Sequence, residues 1–137
     1  MKYLSPSMLR YLQILITVSG GFAGWFLGDF NGFLYTLVVF TALDYITGVI
    51  QAIFTKTLSS EVGLKGIIRK LLIFILVGVG HIIDTQLLGE AGHPVRTLII
   101  FFFIGNEGIS LLENIEKLGI PIPEKLKSIL AQFKNRG

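Results

Sequence analysis

Thr41, Asp44, Gly48 and Gln51 occur at i, i+3, i+7 and i+10 within an otherwise apolar run, residues 32–54, GFLYTLVVFTALDYITGVIQAIF. On a helix they form one stripe, with Val38, Val39, Phe40, Ile46, Val49 and Ile53 covering most of the remaining surface. The run is long enough to cross a bilayer, which takes about 20 apolar residues at a rise of about 1.5 Å each. A carboxyl at that depth costs roughly 3 kcal/mol where it meets lipid. Asp44 is therefore expected to face protein or water.

Two further groups follow the same pattern. His81 and Asp84 lie at i and i+3 above Gly78, and Asn106, Glu107, Ser110, Glu113 and Asn114 share one helical face. The sequence offers Asp44, Asp84 and Glu107 no Lys or Arg at matching depth, which leaves His81 as their cationic neighbour. Such carboxyls are expected to hydrogen-bond across helices, either as fixed glue or on faces that turn toward water when helices rearrange. His81 and Asp84 have the spacing to hold a metal with Asp44 or Glu107, but a hydrogen-bonded histidine inside a bundle is the expectation, with no metal and no cofactor.

No catalytic set emerges. There is no phosphate loop, nucleophile elbow or HExxH, and no nucleic-acid-binding module. The chain has no cysteine, which excludes disulfides, thiol catalysis and Cys-based zinc sites. The expected protein is not an enzyme.

The elements that position these residues are those of an all-α, multi-pass membrane protein. Of 137 residues, 52% are hydrophobic and 15% charged, against about 25% charged in soluble domains. One membrane domain of four spans is expected, near residues 9–28, 32–54, 71–88 and 95–112. Lys2 and Arg10, an apolar run and small residues near Ala23 imitate a signal peptide, but comparable runs recur downstream, so a retained span is expected. Within it Gly20, Gly24 and Gly28 recur every fourth residue, a stripe that suits close packing within or between subunits. Trp25 and Phe26 suit an interfacial belt. The uncharged core of the fourth span is short, so three spans plus a re-entrant segment stay open.

Between the second and third spans runs a basic connection containing Lys56, Lys65, Arg69 and Lys70, part of which has the spacing of a surface helix. After Lys117, Pro121 and Pro123 interrupt any helix. Leu126, Ile129, Leu130 and Phe133 then form an apolar stripe with Lys125, Lys127 and Lys134 outside it. This tail, residues 123–134, reads as an amphipathic helix on the membrane surface or against the bundle end. Basic residues Lys2, Arg10, Lys56 to Lys70 and Lys117 to Arg136 fall on one side, while Asp29, Glu90, His93 and Arg96 fall on the other. Both termini are therefore expected on the cytoplasmic side.

Three stretches resemble the phage holin family that includes clostridial toxin-secretion holins: LDYITGVIQA (43–52), SSEVGLKGIIRKL (59–71) and GNEGISLLENIEKLGIPIPEKL (105–126). The family pattern falls on Asp44, Thr47, Gly48 and Ala52; on Ser60, Gly63, Gly66, Arg69 and Lys70; and on Asn106, Glu107, Ser110, Glu113, Asn114, Gly119, Pro121 and Pro123. The resemblance implies a protein that collects in the bacterial cytoplasmic membrane as a homo-oligomer among lipid. At a timed moment it forms lesions through which an endolysin or a large toxin passes.

Together these lines predict that the polar stripes hide against each other at low density and line a water-filled opening at high density, with Phe101, Phe102 and Phe103 facing lipid. Met1 and Met8 allow a long and short start pair, or an antiholin, in which Lys2 sets the timing; an ordinary internal methionine is the plainer expectation for Met8. A small proton-coupled exporter is the rival from another class, and a passive scaffold is a third.

Overall fold

Side chains that take up free amides set where the helices start. Ser5 accepts from the Met8 N–H ahead of α1 (Pro6–Leu27), Asn31 from Leu34 ahead of α2 (Gly32–Phe54), and Ser59 from Val62 ahead of α3 (Ser60–Ile82). A π-helical segment, Ile83–Leu88, prolongs α3 until Gly89 turns left-handed and stops it. α4 (Pro94–Lys117) follows, and α5 (Glu124–Arg136) begins after Pro121 and Pro123. The computed structural model describes residues 3–89 and 92–136, so Met1, Lys2 and Glu90 lie outside the described residues.

Three helices are long and apolar enough to span a membrane: Gly32–Phe54, Ser60–Leu88 and Pro94–Lys117. The re-entrant alternative for residues 95–112 has no counterpart, because that segment lies inside one continuous helix of 24 residues. α1 is helical over 22 residues but is not among the three. Arg10 and Gln13 dilute its apolar character.

The connection expected between the second and third spans is largely absent. Leu64, Ile67, Ile68 and Leu71 keep their helical spacing straight into the apolar part, so Lys65, Arg69 and Lys70 sit on α3 itself rather than in a loop.

The core of the three long helices is made by Leu34 and Leu37 of α2, Ile73 and Val77 of α3, and Ile100 and Ile104 of α4. α4 sits between the others, touching α2, α3 and α5, whereas α2 and α3 barely meet. α1 buries no residue and rests on α3, where a Cβ at Gly78 would lie 2.0 Å from the Phe26 ring. Leu15, Ile46, Ile75 and Leu98 remain exposed on the outside, the pattern of a surface that meets hydrocarbon.

α5 turns back along α4. Leu130 is buried, the Phe133 ring lies 5.8 Å from that of Phe101, and the Lys134 ammonium stands 5.8 Å above Phe102. The close approach depends on Gly105 and Gly108. A Cβ on Gly105 would come within 2.5 Å of the Lys134 backbone nitrogen. Of the phenylalanines expected to face lipid, only Phe102 is exposed; Phe101 packs edge-on to Phe33 at 4.8 Å, and Phe103 is half-buried.

Candidate functional site

Asp44 lies in the middle of α2 and Glu107 in the middle of α4, and both are buried. Lys70 of α3 reaches between them. Its ammonium donates to Asp44 Oδ2 and, at 2.5 Å, to Glu107 Oε2. Asn114, two turns beyond Glu107, donates through Nδ2 to the Asp44 carbonyl at 3.1 Å, to Asp44 Oδ1 at 2.9 Å and to Thr47 Oγ1 at 3.0 Å. Both oxygens of Asp44 are thereby used. Charged partners this close in a low-dielectric interior are costly to separate, because each would then be buried alone.

Cavities flank the cluster. One of about 230 Å³ is lined by Tyr45, Gly48, Ser110 and Asn114 together with Asp44 and Lys70. Another, of about 400 Å³, is lined by Arg69, Asn106, Glu107 and Ser110, again with Asp44 and Lys70. The ion cluster is thus a polar wall shared by two spaces. Of the remaining stripe residues, Thr41 is buried and spends its hydroxyl on its own helix, donating to the Leu37 and Val38 carbonyls. Gln51 is half-buried farther along α2, and Glu113 is exposed outside the cluster.

Contrary to the expectation from the sequence, Asp44 and Glu107 do have a cation at matching depth. Lys70 supplies the charge, and His81 is not the partner of Asp44 or Glu107. The sequence signal was present, since Lys70 keeps helical register with the apolar residues that follow it; assigning it to a loop concealed its depth.

His81 and Asp84 belong to a second cluster at the other end of the bundle. Asp84 is fully buried, and its two carboxylate oxygens accept the Val95 and Arg96 amides, each at 2.9 Å. It caps α4, whose N-cap residue His93 makes no side-chain capping bond. The Arg96 side chain, 1% exposed, donates from Nε to the Leu27 carbonyl at 2.7 Å and from Nη2 to that of Asp29. One arginine thus ties the end of α1 to the start of α4. The single polar face expected to run through three spans is divided into these two clusters.

The stripe of Gly20, Gly24 and Gly28, the last of which caps the end of α1, divides as well. A Cβ at Gly20 or Gly24 would meet nothing within 4 Å, whereas Gly28, at φ 85°, packs on His81 and Arg96. Lys65 makes an exposed pair with Glu61 at 3.0 Å.

Compared with known proteins, the chain matches the bacteriophage holin family over residues 21–135, from the second half of α1 through α5. The chain belongs to the bacteriophage holin family. Among its relatives, an "Uncharacterized 14.9 kDa protein in nagH 3'region" of Clostridium perfringens is 44% identical over 130 residues, which cover 95% of this chain and 98% of that protein. "Uncharacterized protein Lin0175" of Listeria innocua is 38% identical, over 89% and 86% of the two chains. "Uncharacterized protein YqxH" of Bacillus subtilis is 36% identical, over 75% and 72%. No solved structure matches.

The holin family is a family of membrane proteins rather than of enzymes, and membership together with three membrane-competent helices supports a holin-type function in a membrane. The matched region contains both polar clusters and the α4–α5 hairpin. At the closed end of that hairpin, Lys127 pairs with Glu116, and hydrogen bonding to Glu116 holds the Lys127 ammonium above its ordinary value of 10.5.

Proposed function

We propose that this protein is a holin that accumulates in a bacterial cytoplasmic membrane. Once crowded, it assembles with copies of itself into lesions that release an endolysin for host lysis or a large toxin. The observation that carries the reading is the Lys70 bridge between Asp44 and Glu107. In the isolated subunit the ionisable groups of three helices turn toward one another, so the outside is free to be apolar. In an assembly the same residues have the polarity to line water, and their cost against lipid disfavours half-open edges. Opening is then abrupt rather than graded.

The basic ends of α3 and α5 support an orientation with this side of the bundle in the cytoplasm. With α1 as a fourth span, both termini lie there. Met8 is exposed near the start of α1, and a start at that residue would yield a shorter partner that opens earlier. Finding one translation product alone would end that extension.

The test is controlled expression in a bacterium that holds a cytosolic reporter enzyme. Wild type is expected to release the enzyme suddenly, and Asp44→Leu to abolish or mistime release. Undiminished release on schedule by Asp44→Leu would remove the charge cluster from the mechanism. Efflux of small molecules by sealed cells that keep the enzyme would favour the proton-coupled exporter.

A further inference from the structure

Among the described residues, two buried side-chain atoms lack a hydrogen-bond partner, and they are of one kind: Nδ1 of His81 and Nδ1 of His93. Buried polar atoms are almost always partnered, and a bound ion or water is a usual cause where they are not. The two rings are neighbours, with centroids 5.8 Å apart and planes tilted by 36°. Two imidazoles on one ion, with metal–nitrogen bonds of about 2.0–2.1 Å, put their centroids about 5–6 Å apart.

The backbone is arranged around this pair. His93 sits at φ 52°, ψ 59°, in the left-handed region, yet it gives α4 no capping bond in return. Strained backbone of this kind persists where surroundings impose it, and it concentrates at ligand sites. Gly28 leaves the space that seats the other ring, since a Cβ there would lie 2.6 Å from His81 Nδ1. Asp84, the metal partner that its spacing from His81 suggests, is fully engaged by the two amides of α4.

We propose that His81 and His93 form a two-imidazole site for a borderline divalent transition-metal ion of the Zn²⁺ or Ni²⁺ class, with water completing the coordination. Hard ions such as Mg²⁺ and Ca²⁺ prefer oxygen ligands and are not expected there. The ion links the end of α3 to the start of α4. The site lies away from the Lys70 cluster and does not depend on the lesion-forming reading.

The experiment is titration of untagged full-length protein in detergent micelles with Zn²⁺, using Co²⁺ as the optical reporter. One ion per chain is expected, with affinity in His81→Gln and in His93→Gln weaker by more than the roughly 10- to 100-fold that loss of an outer-shell partner costs. Binding is also expected to weaken on acidification, because protons compete for the imidazole nitrogens. Helix content by circular dichroism identifies a misfolded variant. Should His81→Gln misfold, because its ring packs on Gly28, His93→Gln at the helix start carries the test. No binding by wild type up to millimolar metal, or equal binding by wild type and a folded His93→Gln, overturns the proposal.

Discussion

The Lys70 ammonium lies 2.5 Å from Glu107 Oε2, joining residues 37 apart in the chain, and it simultaneously holds Asp44 of α2. One side chain of α3 thus closes a bridge between two helices that α3 otherwise touches unequally, α4 closely and α2 hardly at all.

Lys70→Met is expected to leave two buried carboxylates facing each other. Losing one partner of a buried ion pair costs about 3–5 kcal/mol. Thermal unfolding in micelles should fall accordingly, and the triple variant Lys70→Met, Asp44→Asn, Glu107→Gln should recover most of the loss. A triple variant no more stable than the single one would mean that the charges are not the source of the defect.

Asn114→Ala removes three contacts around Asp44 and Thr47. Its expected cost is about 1–3 kcal/mol, the range for a buried acceptor left unmet. Asn114→Asp should be worse than alanine, since it adds a carboxylate beside Asp44. The same unfolding measurement ranks the two.

Gly105→Val addresses the seat of α5. A Cβ there meets backbone atoms of Leu130 and Lys134 at 2.5–2.6 Å, which a rotamer change cannot relieve. Overpacking of this sort costs about 1–3 kcal/mol. Limited trypsin treatment is expected to cut at the lysines of α5 in the variant while the three long helices stay intact. Equal cleavage in wild type and variant would count against the packed hairpin.

Asp84→Ala frees the Val95 and Arg96 amides at the start of α4, at an expected cost of about 1–3 kcal/mol. Asp84→Asn keeps one acceptor and should lie between alanine and wild type. Hydrogen exchange of the Val95 and Arg96 amides reads the effect directly.

Lys127 gives a pH dependence. Hydrogen bonding to Glu116 raises its value above the ordinary 10.5. A raised ammonium stabilises the fold while protonated. Its contribution is therefore complete below 10.5 and is lost as pH climbs through the higher folded value. α5 is expected to become more open to subtilisin in that alkaline window, and Lys127→Ala to lose the step.

Helical register was legible wherever apolar spacing was unbroken, which is why residues 32–54 read as one helix and appear as one. Depth was less legible. Lys70 looks like a loop residue because charge next to charge, Arg69 then Lys70, resembles a solvated connection, yet α3 carries it ten residues past Ser60 into the apolar layer. Arg96 likewise resembles a flanking charge, and only the end of α1 and the turn after it, folded onto α4, meet it with the Leu27 and Asp29 carbonyls.

By itself the sequence determined the class of molecule: apolar runs of membrane length and acids spaced on helical faces follow from local periodicity alone. Which charges meet was decided by tertiary structure, because Asp44, Lys70 and Glu107 come from three helices whose relative rotation and height no local pattern encodes. For the same reason His81, paired by spacing with Asp84, has His93 as its neighbour once α4 folds back to present it.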